Sequence, residues 1–557
     1  MDFDNGYLTD QIIAYIGNKR KLLKLIYKAI ETTGIEIKPG IKFLDVFSGS
    51  GVVSRFAKML NFEVFSNDWE SYSKVINSAY LTINKRDIDT LFGSEQKLKD
   101  LINKINNLPD PKEEEQYIAK YYAPKEDDIN TVNYKTERLF YTRKNALAID
   151  KIRNYIEENY PINSKSEETR KIRNLLIAQI IYEAATHTNT SGVFKACHKE
   201  FGGHGKDALE RILSPIAIHE PVLIDSDYEC HIYQQDANKL AEELEGIDIA
   251  YLDPPYNQHQ YGSNYHMLNT VAKWDKIPVP LEMNAKGELK EKAGIRHDWV
   301  NTRSPYCYKT EAEIAFKDLI NKLDAHYILI SYSTDGIIPF DTMREICMKK
   351  GKTTIVTNEY TTYRGGKQSN QRKNTNIEFI LVIDTNTKSD KKEVKDIDFI
   401  VAQKKLFLTF KQKFSESKLK SLDLINNGKI DFDLNGKRIL IDFDNYFTLK
   451  LPEDLTELST DEMLELSNLL DKCACLTKEE EIDELIHIAK SNKNEAERFI
   501  KLLPHTLKKL ASKKNKHIFE KKLKEIKELK KDFPLEISKI DGKIKDVENQ
   551  AKIRFST

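Results

Sequence analysis

The chain has 557 residues, of which 40% are hydrophobic, 31% charged and 10% aromatic. That is a composition of folded domains rather than of collagen-like or disordered sequence, and roughly 150 residues per domain leaves room for about three or four of them. Lysine plus arginine equals aspartate plus glutamate at 87 each, so net charge names no partner, and any polyanion-binding surface must come from local segregation of sign. The first residues, Met1 to Gly6, show neither a basic segment nor an apolar run with a small-residue cleavage site, so no secretory signal is expected. The most apolar stretch, Leu175 to Ala185, includes Gln179 and Glu183 and is too short to span a bilayer. Six scattered cysteines make no disulfide framework, and a reducing cytoplasm is the expected location. Cys473 and Cys475 lack a zinc-knuckle spacing and are expected in a helix core.

In chain order, strand patterns at Ile41 to Phe47 and Phe62 to Ser66 flank a helical pattern at Val52 to Leu60, the alternation of a parallel sheet covered by helices. From about Thr90 to Glu229 the periodicity is helical, clearest at Ala148 to Ile156 and Arg173 to Ala185. Strands resume at His231 to Gln234, Ile247 to Leu252 and Tyr327 to Tyr332. The last two, Thr353 to Tyr360 and Ile377 to Ile383, are joined by a polar loop too short for a crossover helix, so they should form an antiparallel hairpin. From about Lys388 the chain is lysine-rich and mostly helical, with strand-like alternation at Lys429 to Phe447. Capping boxes are expected at Ser459/Glu462 and Thr477/Glu480. Residues 451 to 500 carry a net charge of −9 and residues 501 to 557 a net charge of +9. Such a split either draws the two segments together or leaves one for an anionic partner. The expected organisation is a core in two parts, 1–90 and 230–387, a helical insertion at 91–229, and an accessory or target-recognition domain at 388–557.

The chemistry begins at Asp45-Val46-Phe47-Ser48-Gly49-Ser50-Gly51, a strand-to-helix turn whose glycines let the backbone approach a ligand. Ser54 and Arg55 stand where a dinucleotide fingerprint would need its third glycine, which argues against pyrophosphate. Asp68, ending the next strand, is placed to accept from two ribose hydroxyls, and Asp236-Ala237, ending the third, to meet an exocyclic amine; the competing reading of each acid is a helix N-cap. Asp253-Pro254-Pro255-Tyr256 ends the Ile247 to Leu252 strand, because two proline rings forbid further ladder bonds. A carboxylate, a proline carbonyl and an aromatic ring on one rigid turn suit a planar amine-bearing ring. Tyr256 stacks on its face, and Asp253 with the Pro254 carbonyl accepts from the amino group, favouring a pyramidal nitrogen with a free lone pair. The hairpin loop, 361–376, carries Arg364, Lys367, Arg372 and Lys373 with no acid, a natural contact for phosphates. No metal-ligand spacing stands out: Cys197, His198 and His204 lack a fourth ligand, and Pro109-Asp110 lies in a charged helical stretch without the remainder of a nuclease motif.

Together, Tyr15-Ile16-Gly17-Asn18-Lys19, the glycine turn, Asp68, Phe140-Tyr141-Thr142, Asn189 to Phe194, Asp236, Asp253 to Asn257 and Asn376 to Phe379 resemble the Dam-like, α-ordered DNA adenine-N6 methyltransferases, particularly those of type II restriction–modification systems. The resemblance covers about two thirds of the chain and stops near residue 388. It implies the S-adenosylmethionine-dependent methyltransferase fold: an α/β architecture with a seven-stranded, mostly parallel sheet and a terminal antiparallel hairpin, a helical insertion and a C-terminal mainly helical domain. Tyr15 and Lys19 match the segment that closes over S-adenosylmethionine; Asp45, Phe47, Ser48, Gly49 and Gly51 match the loop holding its methionine portion. Asp68 matches the ribose acid. Asp236 and Ala237 match the pair reading the cofactor adenine, although Ala237 replaces a larger residue. Asp253, Pro254, Pro255 and Tyr256 match the catalytic motif that acts on an adenine flipped out of duplex DNA. The implied partners are double-stranded DNA and a separately encoded cognate restriction endonuclease, with no metal and no membrane, in the cytoplasm of a bacterial or phage-type host. Cytosine-N4 methylation is the rival chemistry, and a non-catalytic DNA-binding subunit retaining the cofactor fold is the rival from another class.

Overall fold

The computed structural model describes residues 2–203, 206–357, 376–426, 429–434, 436–445, 448–451, 457–475 and 477–556. Its contacts divide the chain into two units, residues 1–360 with 378–393, and residues 361–377 with 394–557.

The first unit is built on a seven-stranded sheet: β1 (Lys42–Asp45), β2 (Glu63–Asn67), β3 (Cys230–Tyr233), β4 (Ile247–Leu252), β5 (Ala325–Ser333), β6 (Lys352–Thr357) and β7 (Glu378–Asp384). The order is β3-β2-β1-β4-β5-β7-β6. Pairings from β3 through β5 are parallel, whereas β7 runs antiparallel to both β5 and β6. The expected hairpin partners therefore pair, with Thr353 opposite Ile383 and Thr357 opposite Phe379, but the later strand slots inside the earlier one. The central strands are near-continuous apolar runs because helices cover both sheet faces. The strand Ile247–Leu252 has the expected bounds, and the others differ by one or two residues at their described ends, as at β1, where pairing stops at Asp45 so that the chain can turn; the expected end of the Thr353 to Tyr360 strand, 358–360, lies outside the described residues.

Residues 91–229 supply the helices Glu95–Asn106, Arg143–Asn159 and Glu167–Thr186. The apolar stretch Leu175 to Ala185 belongs to the last of these and is buried nearly all round within the same core as the sheet. Pro109-Asp110 lies in irregular chain rather than in a helix, since the preceding helix ends at Asn106 and Pro109 has no amide hydrogen to continue one. Arg296, with a side chain 4% exposed, closes the end of this unit by donating to both carboxylate oxygens of Asp275 at 2.7 Å and to Asp298 at 2.8 and 3.0 Å. Asp275 is exposed and Asp298 keeps Lys273 at 2.8 Å, so removing the guanidinium forfeits its charge-assisted hydrogen bonds without stranding a buried charge. Arg296→Ala is expected to cost about 2 kcal/mol, read as a lower urea midpoint with an unchanged slope.

In the second unit a short antiparallel sheet, Ile425–Asn426, Lys429–Leu434 and Lys437–Ile441, is followed by helices from Thr460–Cys473 to Pro534–Ser556. Both expected capping boxes form, at Ser459/Glu462 and Thr477/Glu480. Cys473 is buried at the end of its helix, whereas Cys475 lies beyond it, because the helix gives way to extended chain at Ala474. The acidic and basic segments do meet: Glu479 pairs with Lys521 at 3.1 Å and Glu497 with Lys539 at 2.9 Å, while Asp483 receives the buried Lys522. Among the described residues no helix is long and apolar enough to cross a membrane.

Candidate active site

The glycine turn and the Asp253 turn open on one cleft. β1 and β4 are adjacent and parallel, so both chains leave the sheet at the same edge. Tyr15, Lys19, Asp45, Phe47, Ser48, Gly49 and Asp253 all line the cleft. Gly51 does not, nor do Asp68, Asp236 and Ala237.

The turn is held by its own backbone and by Asp68. Gly51 N–H donates to the Ser48 carbonyl at 2.7 Å, and Ser48 N–H and Oγ both donate to the Asn67 carbonyl at 2.9 Å. Asp68 receives the Gly49 N–H on one oxygen and the Glu70 N–H on the other, each at 2.8 Å. It thus sits directly behind the turn, and burial raises its pKa. Gly49 and Gly51 have φ of +50° and +78°, where a side chain is strained. A Cβ at Gly49 would also lie 2.7 Å from the Tyr15 ring.

Asp45 is 1% exposed. One of its oxygens accepts from the Ser54 hydroxyl at 2.7 Å, and the other, Oδ1, has no hydrogen-bond partner. Burial pushes its pKa up to about 7 against the Ser54 bond, with the Asp253 and Asp68 charges adding to the rise. An orphaned, buried carboxylate oxygen in a cleft calls for a cationic or hydrogen-bonding ligand.

Asp253 follows β4 and forms an ion pair of 3.0 Å with Lys19, whose side chain is 6% exposed. Burial raises the Asp253 pKa and Lys19 counters it. Burial opposes the charge of Lys19, but Asp253, Tyr256, Tyr251 and Glu378 outweigh that and hold the ammonium protonated. The same ammonium sits 5.2 Å from the centre of the Tyr256 ring, which meets Tyr332 edge-on at 6.0 Å. Tyr256 is thereby propped upright beside the carboxylate.

Asp236 is a helix N-cap: its Oδ1 accepts from the Asn238 and Lys239 N–H groups at 3.0 and 3.1 Å, and Ala237 opens that helix, buried. Arg364, Lys367, Arg372 and Lys373 lie outside the described residues, as does His204. Among the described residues no group of three or more His, Cys, Asp or Glu side chains could hold a metal.

Sequence reasoning did not assign Gly17, Asn18, Ser50, Val52, Val53 and Tyr251 to the cleft they line, nor Glu378 as a charge facing Lys19 and Asp253. Tyr251 had a usable signal: it stands two residues before Asp253 on one strand, and alternate residues share a face. Glu378 stood within the Asn376 to Phe379 motif, but its closeness to Lys19 depends on β7 entering beside β5, which sets Glu378 opposite Ser333.

Comparison with known proteins agrees with this geometry. The family described as D12 class N6 adenine-specific DNA methyltransferase matches residues 15–346. The type II methyltransferase M.NlaIII of Neisseria lactamica is 31% identical over 373 residues, covering 66% of this chain and 98% of that protein. The modification methylase LlaI of Lactococcus lactis subsp. lactis is 29% identical over 66% of this chain, which spans 54% of that longer protein. The type II methyltransferase M.CviAII of Paramecium bursaria Chlorella virus 1 is 28% identical over 63% of this chain and 93% of its own length. A turn that offers acceptors to an aromatic amine, set at the rim of a glycine-floored cleft, is what such an enzyme requires, and the chain belongs to the D12 class of N6 adenine-specific DNA methyltransferases.

Proposed function

We propose that this chain is the modification enzyme of a restriction–modification system, using S-adenosylmethionine to methylate adenine N6 in double-stranded DNA in the cytoplasm, with a separately encoded endonuclease as its functional counterpart. The relatives' names support the system, and one observation carries the chemistry: Asp253 and Gly49 line the same cleft, with Lys19 fixed on Asp253.

The residues suit this donor. The orphaned Asp45 Oδ1 offers an acceptor to a cationic ammonium group, Gly49 and the Tyr15 ring form a close wall, and Asp68 lies behind the turn where a ribose would reach. Asp236 contributes through the helix it caps and Ala237 through its small side chain. When bound, the donor supplies an electrophilic methyl group on a sulfonium. Asp253 and the Pro254 carbonyl would accept the N6 hydrogens of a flipped adenine stacked on Tyr256, Pro255 keeping the turn rigid, so that the nitrogen lone pair is released as the N–C bond forms and the methyl's C–S bond breaks, the sulfur leaving as a neutral thioether and one N6 proton passing by way of Asp253 to solvent. Lys19 matters because a protonated Asp253 would turn from acceptor into donor. Arg364, Lys367, Arg372 and Lys373 are assigned to phosphate contacts.

The test is to incubate the protein with methyl-labelled S-adenosylmethionine and duplex DNA, then digest and identify the modified nucleoside. N6-methyladenine is expected; N4-methylcytosine as the sole product would overturn the reading.

The Asp45 carboxyl gives a pH signature. Its pKa is about 7 in the free protein, and a bound cation favours the ionised form, so donor affinity rises as pH rises toward 7. Above that the donor's own α-ammonium, with an ordinary pKa of about 7.7 to 8.0, loses its proton, so titration calorimetry should show a bell-shaped dependence. In Asp45→Asn the acidic limb should vanish and the alkaline limb remain.

A further inference from the structure

The segment carrying Tyr15 and Lys19 is gripped at a single residue by the chain that follows the catalytic turn. Ile16 N–H donates to the Tyr265 hydroxyl at 2.7 Å, and the Tyr261 hydroxyl donates to the Ile16 carbonyl at 3.3 Å. Both backbone polar groups of Ile16 are thus taken by tyrosines lying five and nine residues beyond Tyr256.

The grip extends to the side chains. Tyr15 stacks on Tyr265 with ring centres 4.7 Å apart and leans on Tyr261 at 5.2 Å. Its hydroxyl lies 2.9 Å from that of Tyr72. The next residue, Gly17, has φ +79°, and a Cβ there would come within 3.5 Å of the Tyr256 hydroxyl and 3.8 Å of that of Tyr261. On one side of the gripped residue Tyr15 walls the Gly49 turn; on the other, Lys19 holds Asp253 at 3.0 Å.

We propose that Tyr261 and Tyr265 are positioning residues that lock residues 15–19 onto the catalytic turn, so that the donor cleft and the Asp253 carboxylate are set as one unit and donor binding tightens base capture. The proposal rests on the methyl-transfer reading above. Neither hydroxyl needs to touch donor or adenine. Each satisfies a backbone group of irregular chain that lies ahead of the short turn Lys19–Leu22 and the helix Leu23–Thr32 that continues it.

The test uses Tyr261→Phe, Tyr265→Phe and the double variant in the full chain. Phenylalanine keeps the stacked rings and removes only the hydroxyls. Leaving a part-buried peptide group without its partner should weaken donor binding roughly three- to tenfold per hydroxyl, measured calorimetrically with S-adenosylmethionine. KM for the donor should rise while the DNA affinity of the donor-free protein stays within about twofold, and the DNA affinity gained on adding the non-reactive product S-adenosylhomocysteine should shrink in the double variant. A purely structural role would lower the melting temperature and the active fraction without that split between donor and DNA. Wild-type donor affinity and an intact DNA-affinity gain in a folded double variant would overturn the proposal. Failure of the wild-type protein to transfer methyl groups at all would instead overturn the underlying reading.

Discussion

Asp253→Ala should abolish methyl transfer, with a loss of roughly a thousandfold or more in kcat, while DNA affinity stays within about threefold. The size of the effect follows from what the side chain touches. In the proposed mechanism it is the acceptor on the turn after β4, and without it an adenine amine would keep its lone pair in the ring. Truncation has a second consequence, because Lys19, 6% exposed and paired at 3.0 Å, is left buried without its ion-pair partner, with only the more distant Glu378 charge facing it. That costs about 3 kcal/mol or more of stability. The double variant Lys19→Met/Asp253→Ala separates the two: it should recover much of the stability and none of the turnover. Asp253→Asn, which keeps the volume but places an amide against the Lys19 ammonium, should also be inactive. Undiminished turnover in any of these variants would remove the role assigned to Asp253. Tyr256→Ala should differ in kind, weakening capture of the flipped base, seen as lost fluorescence of 2-aminopurine at the target position, with donor affinity preserved.

Gly49→Val should destroy donor binding, raising the dissociation constant by roughly a hundredfold or more, with DNA binding retained. Two costs add at this residue. The backbone φ of +50° disfavours any side chain, and a β-branched one most. The Cβ would also meet the Tyr15 ring at 2.7 Å, pushing the N-terminal wall out of the cleft. Gly246→Ala isolates the first cost, since Gly246 has φ +66° with nothing within 4 Å of its Cβ. That variant should lose about 1 kcal/mol of stability with donor affinity unchanged. If Gly49→Val bound the donor normally, the glycine turn would not be the floor of the cofactor site.

Local chemistry accounts for the features that are legible in the sequence alone. The strands are legible because apolar runs bounded by glycine or proline have few other conformations, and the Asp253 turn is legible because two prolines stop a strand wherever they occur. The pairing of Thr353 with Ile383 follows from a loop too short for a crossover. The insertion of β7 between β5 and β6 does not, since the hairpin would satisfy its own bonds on either side of β5. The ion pair between Lys19 and Asp253 is equally invisible: each residue stands out separately, and only the meeting of distant segments at one sheet edge joins them. Tyr261 and Tyr265 lie in the segment Gln258 to His266, recognisable as a neighbour of the catalytic turn, yet their grip on Ile16 depends on the path of a segment without regular structure. Asp236 shows the opposite limit: the cap and the ligand-reading acid look alike in sequence, and its Oδ1 does cap the helix from Ala237 while leaving the other reading untouched.

The position of β7 bears on how the protein is made. As the chain leaves the ribosome, β5 and β6 are complete before Glu378–Asp384 exists, and β6 has no other strand in the sheet to join. Until then the nascent chain carries an open flank on β5 and a threonine-rich strand without a ladder partner, both prone to pairing with other chains. The charge facing Lys19 and Asp253 arrives with the same strand, at Glu378. A polypeptide released early would thus lack both the final seam of its sheet and part of its electrostatic setting, and host DNA would gain protection only from chains finished past that point.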